Sequence, residues 1–212
     1  KTRSLLRRCF LYGLQNSSGV RYLEMPPQQR PESICFLEKT PRNALNIPFL
    51  KAVFPASKFI FLHRDPRQVV SSLIEAWGVG LQTGRFVTFR DLPNWYLPGW
   101  CFLLPRGWQA YRGRSIAEIA AFQWRASNQA IIDGLAPLAK NRWADCSYTD
   151  FITDPKSAIE RIGKRLDLTL ETGPLSAQAM TLSRTTLSRP NTDKWKRHAA
   201  QISPLLPALN QV

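Results

Sequence analysis

The sequence predicts an α/β fold, a mainly parallel sheet flanked by helices, on three observations. Short apolar runs of strand length alternate with longer segments of helical period. The run Phe59–Leu62 passes through His63-Arg64 directly into the helix-start residues Asp65-Pro66. A cap-plus-proline join of the same kind occurs at Thr40-Pro41 and at Asp154-Pro155. Helices that follow strands in this way cross over to parallel neighbours, and a sheet built from them is covered on both faces.

The elements read as follows. Leu5 to Leu14 is the tail of a helix, stopped near Gly13 and Asn16-Ser17-Ser18-Gly19. Tyr22 to Arg30 is a polar, Pro-rich loop, and Ser33 to Leu37 a short strand. Thr40-Pro41 starts a helix running through Phe49 and Val53, with Pro48 limiting its regularity. After the strand Phe59–Leu62, Asp65 is the expected N-cap, Pro66 the first helical position and Gln68 the capping-box partner. Val70, Ile74 and Trp77 continue at helical spacing. Gly78 to Arg114 is irregular and rich in Pro, Gly and Trp. A segment of that length in a compact domain is usually functional or mobile. Ser115 caps a long helix with Ile116, Ile119, Phe122, Ala126 and Ala130 on one face. Trp143 to Tyr148 is a strand, and Asp154-Pro155 opens a helix carrying Ile159, Ile162 and Leu166. A linker follows Asp167, then a loop from Ser183 to Trp195, then a final helix before Pro204 and Pro207. No internal repeat is visible.

Composition bounds the answer. At 212 residues with 44% hydrophobic content and 7 tryptophans, the chain reads as one globular domain spanning 1–212 and not as a disordered one. No apolar run approaches the roughly 20 residues of a membrane span. No signal peptide is visible, so a cytoplasmic location is expected, although a leader or anchor lost at the N-terminus would change that. The four cysteines, Cys9, Cys35, Cys101 and Cys146, form no C-x-x-C pair and no zinc spacing; buried free thiols in a reducing compartment are expected. The only histidines are His63 and His198, and no metal site is expected. Twenty-nine Lys plus Arg against 15 Asp plus Glu give a net charge of +14, which suits an anionic ligand. The basic residues are dispersed, no nucleic-acid motif appears, and a basic surface without a specific role is the competing explanation.

The stretch from Phe59 to Leu73 carries the most chemistry. Arg64 stands where a strand stops and a helix starts, the edge at which open α/β sheets bind ligands. Free backbone N–H groups and the helix dipole favour anions there. Ser72, two turns into the helix, adds a hydroxyl. An arginine fork with a hydroxyl beside a helix start describes a phosphate site. The competing readings are an ion pair between Arg64 and Asp65, and an ordinary helix serine bonding back to its own chain.

A strand ending in Arg-Asp-Pro, with a serine eight positions after the arginine, resembles the 3′-phosphate motif of sulfotransferases. These enzymes use 3′-phosphoadenosine 5′-phosphosulfate (PAPS). Three further pieces match in order. Phe36-Leu37-Glu38-Lys39-Thr40-Pro41 resembles the family's Glu-Lys-Thr-Pro segment. Tyr148-Thr149-Asp150-Phe151 through Asp154-Pro155 resembles its Tyr-Glu-Asp-Leu…Asp-Pro segment, with Thr149 where a glutamate is usual. Ser183 through Asp193-Lys194-Trp195 resembles its C-terminal cofactor loop. The family's opening strand and Pro-Arg-Ser-Gly-Thr-Thr phosphate loop have no counterpart here; Ser17-Ser18-Gly19 leads into no helix. A sulfotransferase-like domain incomplete at its N-terminus is therefore expected, with native residues preceding Lys1 and a sheet that looks incomplete beside the arginine strand.

The resemblance implies a P-loop-NTPase-like sheet and transfer of a sulfuryl group from PAPS to a hydroxyl or amine acceptor, leaving adenosine 3′,5′-bisphosphate. It implies Glu38 as general base and Lys39 as a stabiliser of developing charge. The cytosolic members place a histidine where Pro41 stands. It implies Arg64, Ser72, Ser183 and Lys194 around the 3′-phosphate end of the nucleotide, Tyr148 against the adenine, and Trp195 as a packing anchor. Glu38 as the mere partner of a basic neighbour, Lys39 as a solvated lysine and Tyr148 as a core residue are the bland alternatives. The base in other relatives lies further N-terminal. The expected partner is a small-molecule, carbohydrate or peptide acceptor, with no specific nucleic acid; the aromatic residues between Trp77 and Trp108 suit either such an acceptor or a lid core. Two other functions compete: a nucleotide-dependent kinase, which would want Gly-x-x-x-x-Gly-Lys-Ser/Thr, and a non-enzymatic anion or nucleic-acid-binding domain.

Overall fold

The computed structural model describes residues 9, 11–16, 18–30, 37–170, 186–187 and 191–212. Backbone contacts divide the chain into two units, Lys1–Ser57 and Lys58–Val212.

In the first unit, Cys9 and residues 11–13 are helical, as the sequence suggests. Asn16 Oδ1 then accepts from the backbone N–H groups of Ser18 (3.0 Å) and Val20 (2.9 Å), a side-chain-made turn. The Pro-rich segment after it is two short 3-10 turns, Tyr22–Glu24 and Pro27–Gln29, and not a featureless loop. Arg30 ties them together, donating to the carbonyls of Met25 (3.0 Å) and Leu23 (2.9 Å) with its guanidinium over the Tyr22 ring. Most of the strand expected at Ser33–Leu37 lies outside the described residues. Leu37–Thr40 has no regular structure, and the expected long helix is instead a 3-10 turn, Pro41–Leu45, and a separate helix α1, Ile47–Val53. Pro48 does not limit α1. It sits in the first turn, where its missing N–H has no helical acceptor to lose.

The second unit runs β1 (Phe59–His63), α2 (Pro66–Thr83), β2 (Val87–Phe89), β3 (Trp100–Cys101), α3 (Ile116–Leu135), β4 (Trp143–Ser147), α4 (Tyr148–Thr153) and α5 (Pro155–Leu166). A 3-10 turn, Lys194–His198, leads into α6 (Ala199–Ile202), a second turn at Ser203–Leu205, and α7 (Leu206–Leu209). Pro204 and Pro207 do not end this helical run, because each stands in the first turn of a new short element. Strands β1 and β4 pair in parallel, Phe59 beside Trp143 through His63 beside Ser147. This parallel pair between helices makes the unit α/β. The irregular segment contributes an antiparallel ribbon, β2 with β3.

Three apolar clusters hold these elements. Helix α5 lays Ala158, Ile162 and Leu166 on Ala144 and Cys146 of β4. Its amphipathic stripe finds the strand because residues 158, 162 and 166 recur every four positions. The end of α5 is closed by Asp167 in the left-handed region (φ 49°) and by the Lys58 ammonium, which donates to the carbonyls of Leu166 and Asp167. Helices α2 and α3 pack Val70 against Ala120 and Ala121, with Ile202 and Leu209 of the C-terminal run added. Helix α3 opens with the cap expected at Ser115, completed as a capping box by Glu118: Glu118 N–H donates to Ser115 Oγ (3.3 Å), and Ser115 N–H donates to Glu118 Oε2 (2.9 Å).

The third cluster is aromatic. Trp77, Trp100 and Ile119 are fully buried, and the Trp77–Trp100 and Trp95–Trp100 ring centroids lie 5.4 Å and 4.9 Å apart. Gln123, 2% exposed, holds the centre together. Its Oε1 accepts from Trp77 Nε1 (2.8 Å), and its Nε2 donates to the carbonyls of Cys101 and Leu103 (both 2.7 Å). Gly80 is what permits α2 to lie against β3, since a Cβ there would stand 2.5 Å from Cys101 Sγ. The Trp-rich segment is therefore core at Trp77 and Trp100, whose indoles have no surface left for an acceptor.

Coverage of the parallel pair is uneven, which corrects the expectation of two covered faces. Helix α5 buries β4, yet Ile60 and Leu62 one strand over are 46% and 50% exposed. Among the described residues β1 has a strand on one edge only. The thiols divide as well. Cys101 and Cys146 are buried, but Cys9 is exposed, against the expectation of buried cysteines; Cys35 lies outside the described residues.

Candidate functional site

The β1–α2 junction is built as its sequence implies. Asp65 caps α2, its Oδ1 accepting from the Arg67 N–H at 2.8 Å. The capping box with Gln68 does not form. Gln68 Oε1 accepts instead from Arg64 Nε at 2.9 Å. A bond to a guanidinium is charge-assisted and outcompetes the neutral backbone N–H.

Asp65 is also taken by a cation, but by the other arginine. Arg67 Nε lies 3.0 Å and 3.1 Å from the two Asp65 carboxylate oxygens, and its Nη2 donates to Oδ2 as well. This fork holds the Asp65 carboxyl below the usual carboxylate range and the Arg67 guanidinium above its own. The ion pair that competed with a ligand role for Arg64 is thus made by Arg67.

Arg64 is left with two neutral contacts. One is Gln68; the other is the ring of Tyr148, whose centroid lies 4.7 Å from Arg64 Cζ. No acidic partner of Arg64 occurs among the described residues. Tyr148 does not end the strand, as expected, but is the first residue of α4. Ser147 caps that helix, its Oγ accepting from Asp150 N–H at 3.4 Å. Because β4 runs parallel to β1 with Ser147 beside His63, the residue after β4 meets the residue after β1. The sheet register brings two of the expected site residues together.

Ser72 lies four positions after Gln68, one turn further along the same face of α2. It is half-buried, and its hydroxyl makes no hydrogen bond among the described residues. Thr83, by contrast, bonds back to the Val79 carbonyl at 2.7 Å. The back-bonding alternative for Ser72 is not what the structure holds. Arg64, Gln68 and Ser72 form a stripe with a guanidinium at its head and a hydroxyl at its foot, at the N-terminal end of a helix of 18 residues.

A second cation–aromatic pair meets the same helix start. Arg67 Cζ lies 5.0 Å from the Trp195 ring centroid, so the C-terminal turn reaches the junction. Lys194 does not present a free ammonium. It pairs with Glu75 of α2 at 2.7 Å. Ser183 lies outside the described residues. Gln68 and Glu75 hold the expected site residues Arg64 and Lys194, contacts that sequence reasoning missed. Gln68 was visible only as a cap, and an acid two turns past an arginine gives no sign of its partners until the C-terminal turn is placed.

Glu38 and Lys39 belong to the first unit, both exposed. Glu38 Oε1 accepts from Asn43 Nδ2 at 3.4 Å, a long bond that leaves the carboxylate open to solvent. No cationic partner of Glu38 occurs among the described residues, so the bland ion-pair alternative is not what is seen. Among the described residues no three His, Cys, Asp or Glu side chains gather as a metal site would need, and no helix is long and apolar enough to cross a membrane.

Residues 6–100 match the model of the sulfotransferase family, a little under half of the chain. The matched portion contains Glu38, Lys39, Arg64 and Ser72; Tyr148 and Lys194 lie beyond it. A solved structure, the sulfotransferase domain from the curacin biosynthetic pathway, is similar at 19% identity and a TM-score of 0.43. The similarity covers 78% of this chain and 61% of that one, so the chain spans about three fifths of that domain's length. Among curated proteins, none matches this chain.

Proposed function

We propose that this chain, sulfotransferase-family sequence across residues 6–100, is the nucleotide-binding part of a PAPS-dependent sulfotransferase acting on a hydroxyl or amine acceptor. The observation that carries the reading is Arg64. It stands at the C-terminal end of a parallel strand, oriented through Nε by Gln68 and lying on the Tyr148 ring, and it has no acidic partner among the described residues. A guanidinium held in that way has its Nη edge to offer to a phosphate. A purine with a 3′-phosphate matches an aromatic ring, a guanidinium and a serine hydroxyl at one helix start. The P-loop-NTPase-like sheet, with a further strand beside β1, belongs to the same reading.

The nucleotide donor supplies an activated sulfuryl group, and every other demand falls on side chains. Arg64 and Ser72 bind the 3′-phosphate, and Tyr148 orients the base. Glu38 takes the proton from the acceptor as its oxygen or nitrogen bonds to sulfur. Lys39 balances the charge that develops as the bond from sulfur to the phosphate oxygen breaks. Ser183 is assigned to the 3′-phosphate end by resemblance alone. Lys194 is assigned there too, now with its ammonium matched by Glu75.

Titration of the chain with adenosine 3′,5′-bisphosphate, ATP and RNA, followed by calorimetry, tests the reading. Saturable binding of the bisphosphate, tighter than ATP, is expected. Preference for ATP would move the assignment to a kinase, and binding of RNA alone to a non-enzymatic role. For the chemistry, Glu38→Gln should lower turnover of PAPS by about 10²–10⁴-fold with bisphosphate affinity little changed. Turnover within a few-fold of wild type would remove Glu38 as the base.

A further inference from the structure

Glu75 is an acid in a strongly basic chain, and its surroundings are unusual. Its side chain is 16% exposed and gathers three basic groups. Lys194 Nζ lies 2.7 Å from Oε2, Arg197 donates to Oε1 at 2.9 Å, and His198 Nε2 lies 3.9 Å from Oε1, too far for a hydrogen bond. All three belong to the single 3-10 turn Lys194–His198. The same turn carries Trp195, whose ring faces Arg67 at the start of α2. The turn is therefore tied to α2 at two points eight residues apart, along the row 67, 71 and 75. The neighbouring row on that helix holds Gln68 and Ser72, and Ser72 is one turn before Glu75.

We propose that Glu75 is a positioning residue for the nucleotide site: through Lys194 and Arg197 it holds the Lys194–His198 turn along α2 and so keeps Trp195 on Arg67 beside the Arg64–Ser72 stripe. The inference rests on the nucleotide reading above and adds to it how the third wall of the site is fixed. The physical argument is one of burial. Lys194, 13% exposed on its side chain, and Glu75 are both largely withdrawn from water, and a partner removed from such a pair leaves the other charge uncompensated. Without Glu75, the Lys194 ammonium and the Arg197 guanidinium on one turn lose their shared counter-charge, and the turn has reason to leave the helix.

The sign of the effect makes the inference testable. By Coulomb's law alone, removing an acid near an anion site strengthens anion binding. Positioning demands the opposite. Glu75→Gln is expected to bind adenosine 3′,5′-bisphosphate about tenfold more weakly than wild type and to lose hydrogen-exchange protection at the amides of the Lys194–His198 turn in the free protein. Arg197→Gln, altered on a side chain 54% exposed, probes the same anchor from outside should Glu75→Gln fail to fold. It should weaken binding about threefold, and the double variant should lose less than the two losses combined. Unchanged or tighter bisphosphate binding in Glu75→Gln, or in Arg197→Gln where only that variant folds, overturns the positioning role. Unchanged exchange in the turn overturns the anchor itself. A wild-type chain that binds no bisphosphate overturns the nucleotide reading and the positioning role with it, while the exchange data still report separately whether Glu75 holds the turn.

Discussion

Two regions of the Lys58–Val212 unit use arginine- and tryptophan-rich sequence to opposite ends. Around Trp77 and Trp100 the indole and amide groups are paired. The indole N–H of Trp77 goes to Gln123, that of Trp95 to the Gly99 carbonyl, and the Gln123 amide to two backbone carbonyls. At the β1–α2 junction the groups are unspent. Among the described residues Arg64 has no acid and the Ser72 hydroxyl no hydrogen bond, and Ile60 and Leu62 have only partial cover. The difference is between a region whose polar groups are paired with one another and one whose arginine and serine stay open among the described residues. The second region is the place to seek function, although the first is the more distinctive in sequence.

Substitutions can break that contrast. The largest expected effect is on the closed side. Trp100→Ala empties a site with no solvent exposure and should cost about 3–5 kcal/mol of stability, read by urea denaturation. Bisphosphate affinity per folded molecule should not change; a large loss would make the aromatic region part of the site. On the open side, Arg64→Ala should weaken bisphosphate binding by roughly 1.5–3 kcal/mol while leaving the urea midpoint near wild type. A shifted midpoint with unchanged affinity would reduce Arg64 to a structural residue.

A smaller effect is expected at Asp65, where the Arg67 fork lowers the carboxyl pKa in the fold. The ionised form then favours folding. Its contribution is complete above the usual carboxylate value near 3.8 and is lost as pH falls through the lower, folded value. Asp65→Asn keeps a capping side chain and removes the titration. Its stability should fall less steeply than wild type below about pH 4. Equal acid slopes would show that the Asp65–Arg67 pair contributes nothing measurable. The smallest effect concerns Ser71, 1% exposed with a hydroxyl that has no partner among the described residues. Ser71→Ala should be neutral or stabilising by up to about 1 kcal/mol in thermal unfolding, because no hydrogen bond is lost and an unsatisfied group is removed. A clear loss of stability would reveal a partner for this hydroxyl.

Local grammar was legible where a few neighbouring residues decide the outcome. Asp65-Pro66, Ser115 and Asp154-Pro155 all start helices as read, since a cap or a first-turn proline acts within one turn. The position of Arg64 at a strand end was legible for the same reason. The misread elements involve a choice among partners. Gln68 was free to cap or to hold Arg64; Tyr148 could end a strand or begin a helix; Pro48, Pro204 and Pro207 could stop helices or open new ones. Each option is locally allowed, and the neighbours that choose between them come from elsewhere in the chain.

The sequence by itself determined that a strand would deliver an arginine to a helix start, because both elements are set by side chains within a few residues. It also determined a large excess of positive charge. Only the tertiary structure decided which cations are neutralised. Asp65 went to Arg67, Glu75 to Lys194 and Arg197, and Arg64 was left to Gln68 and Tyr148. Ion pairing depends on distances of a few ångströms between residues up to 122 positions apart. Those distances follow from the β1–β4 register and the seating of the C-terminal turn on α2, which no local pattern encodes.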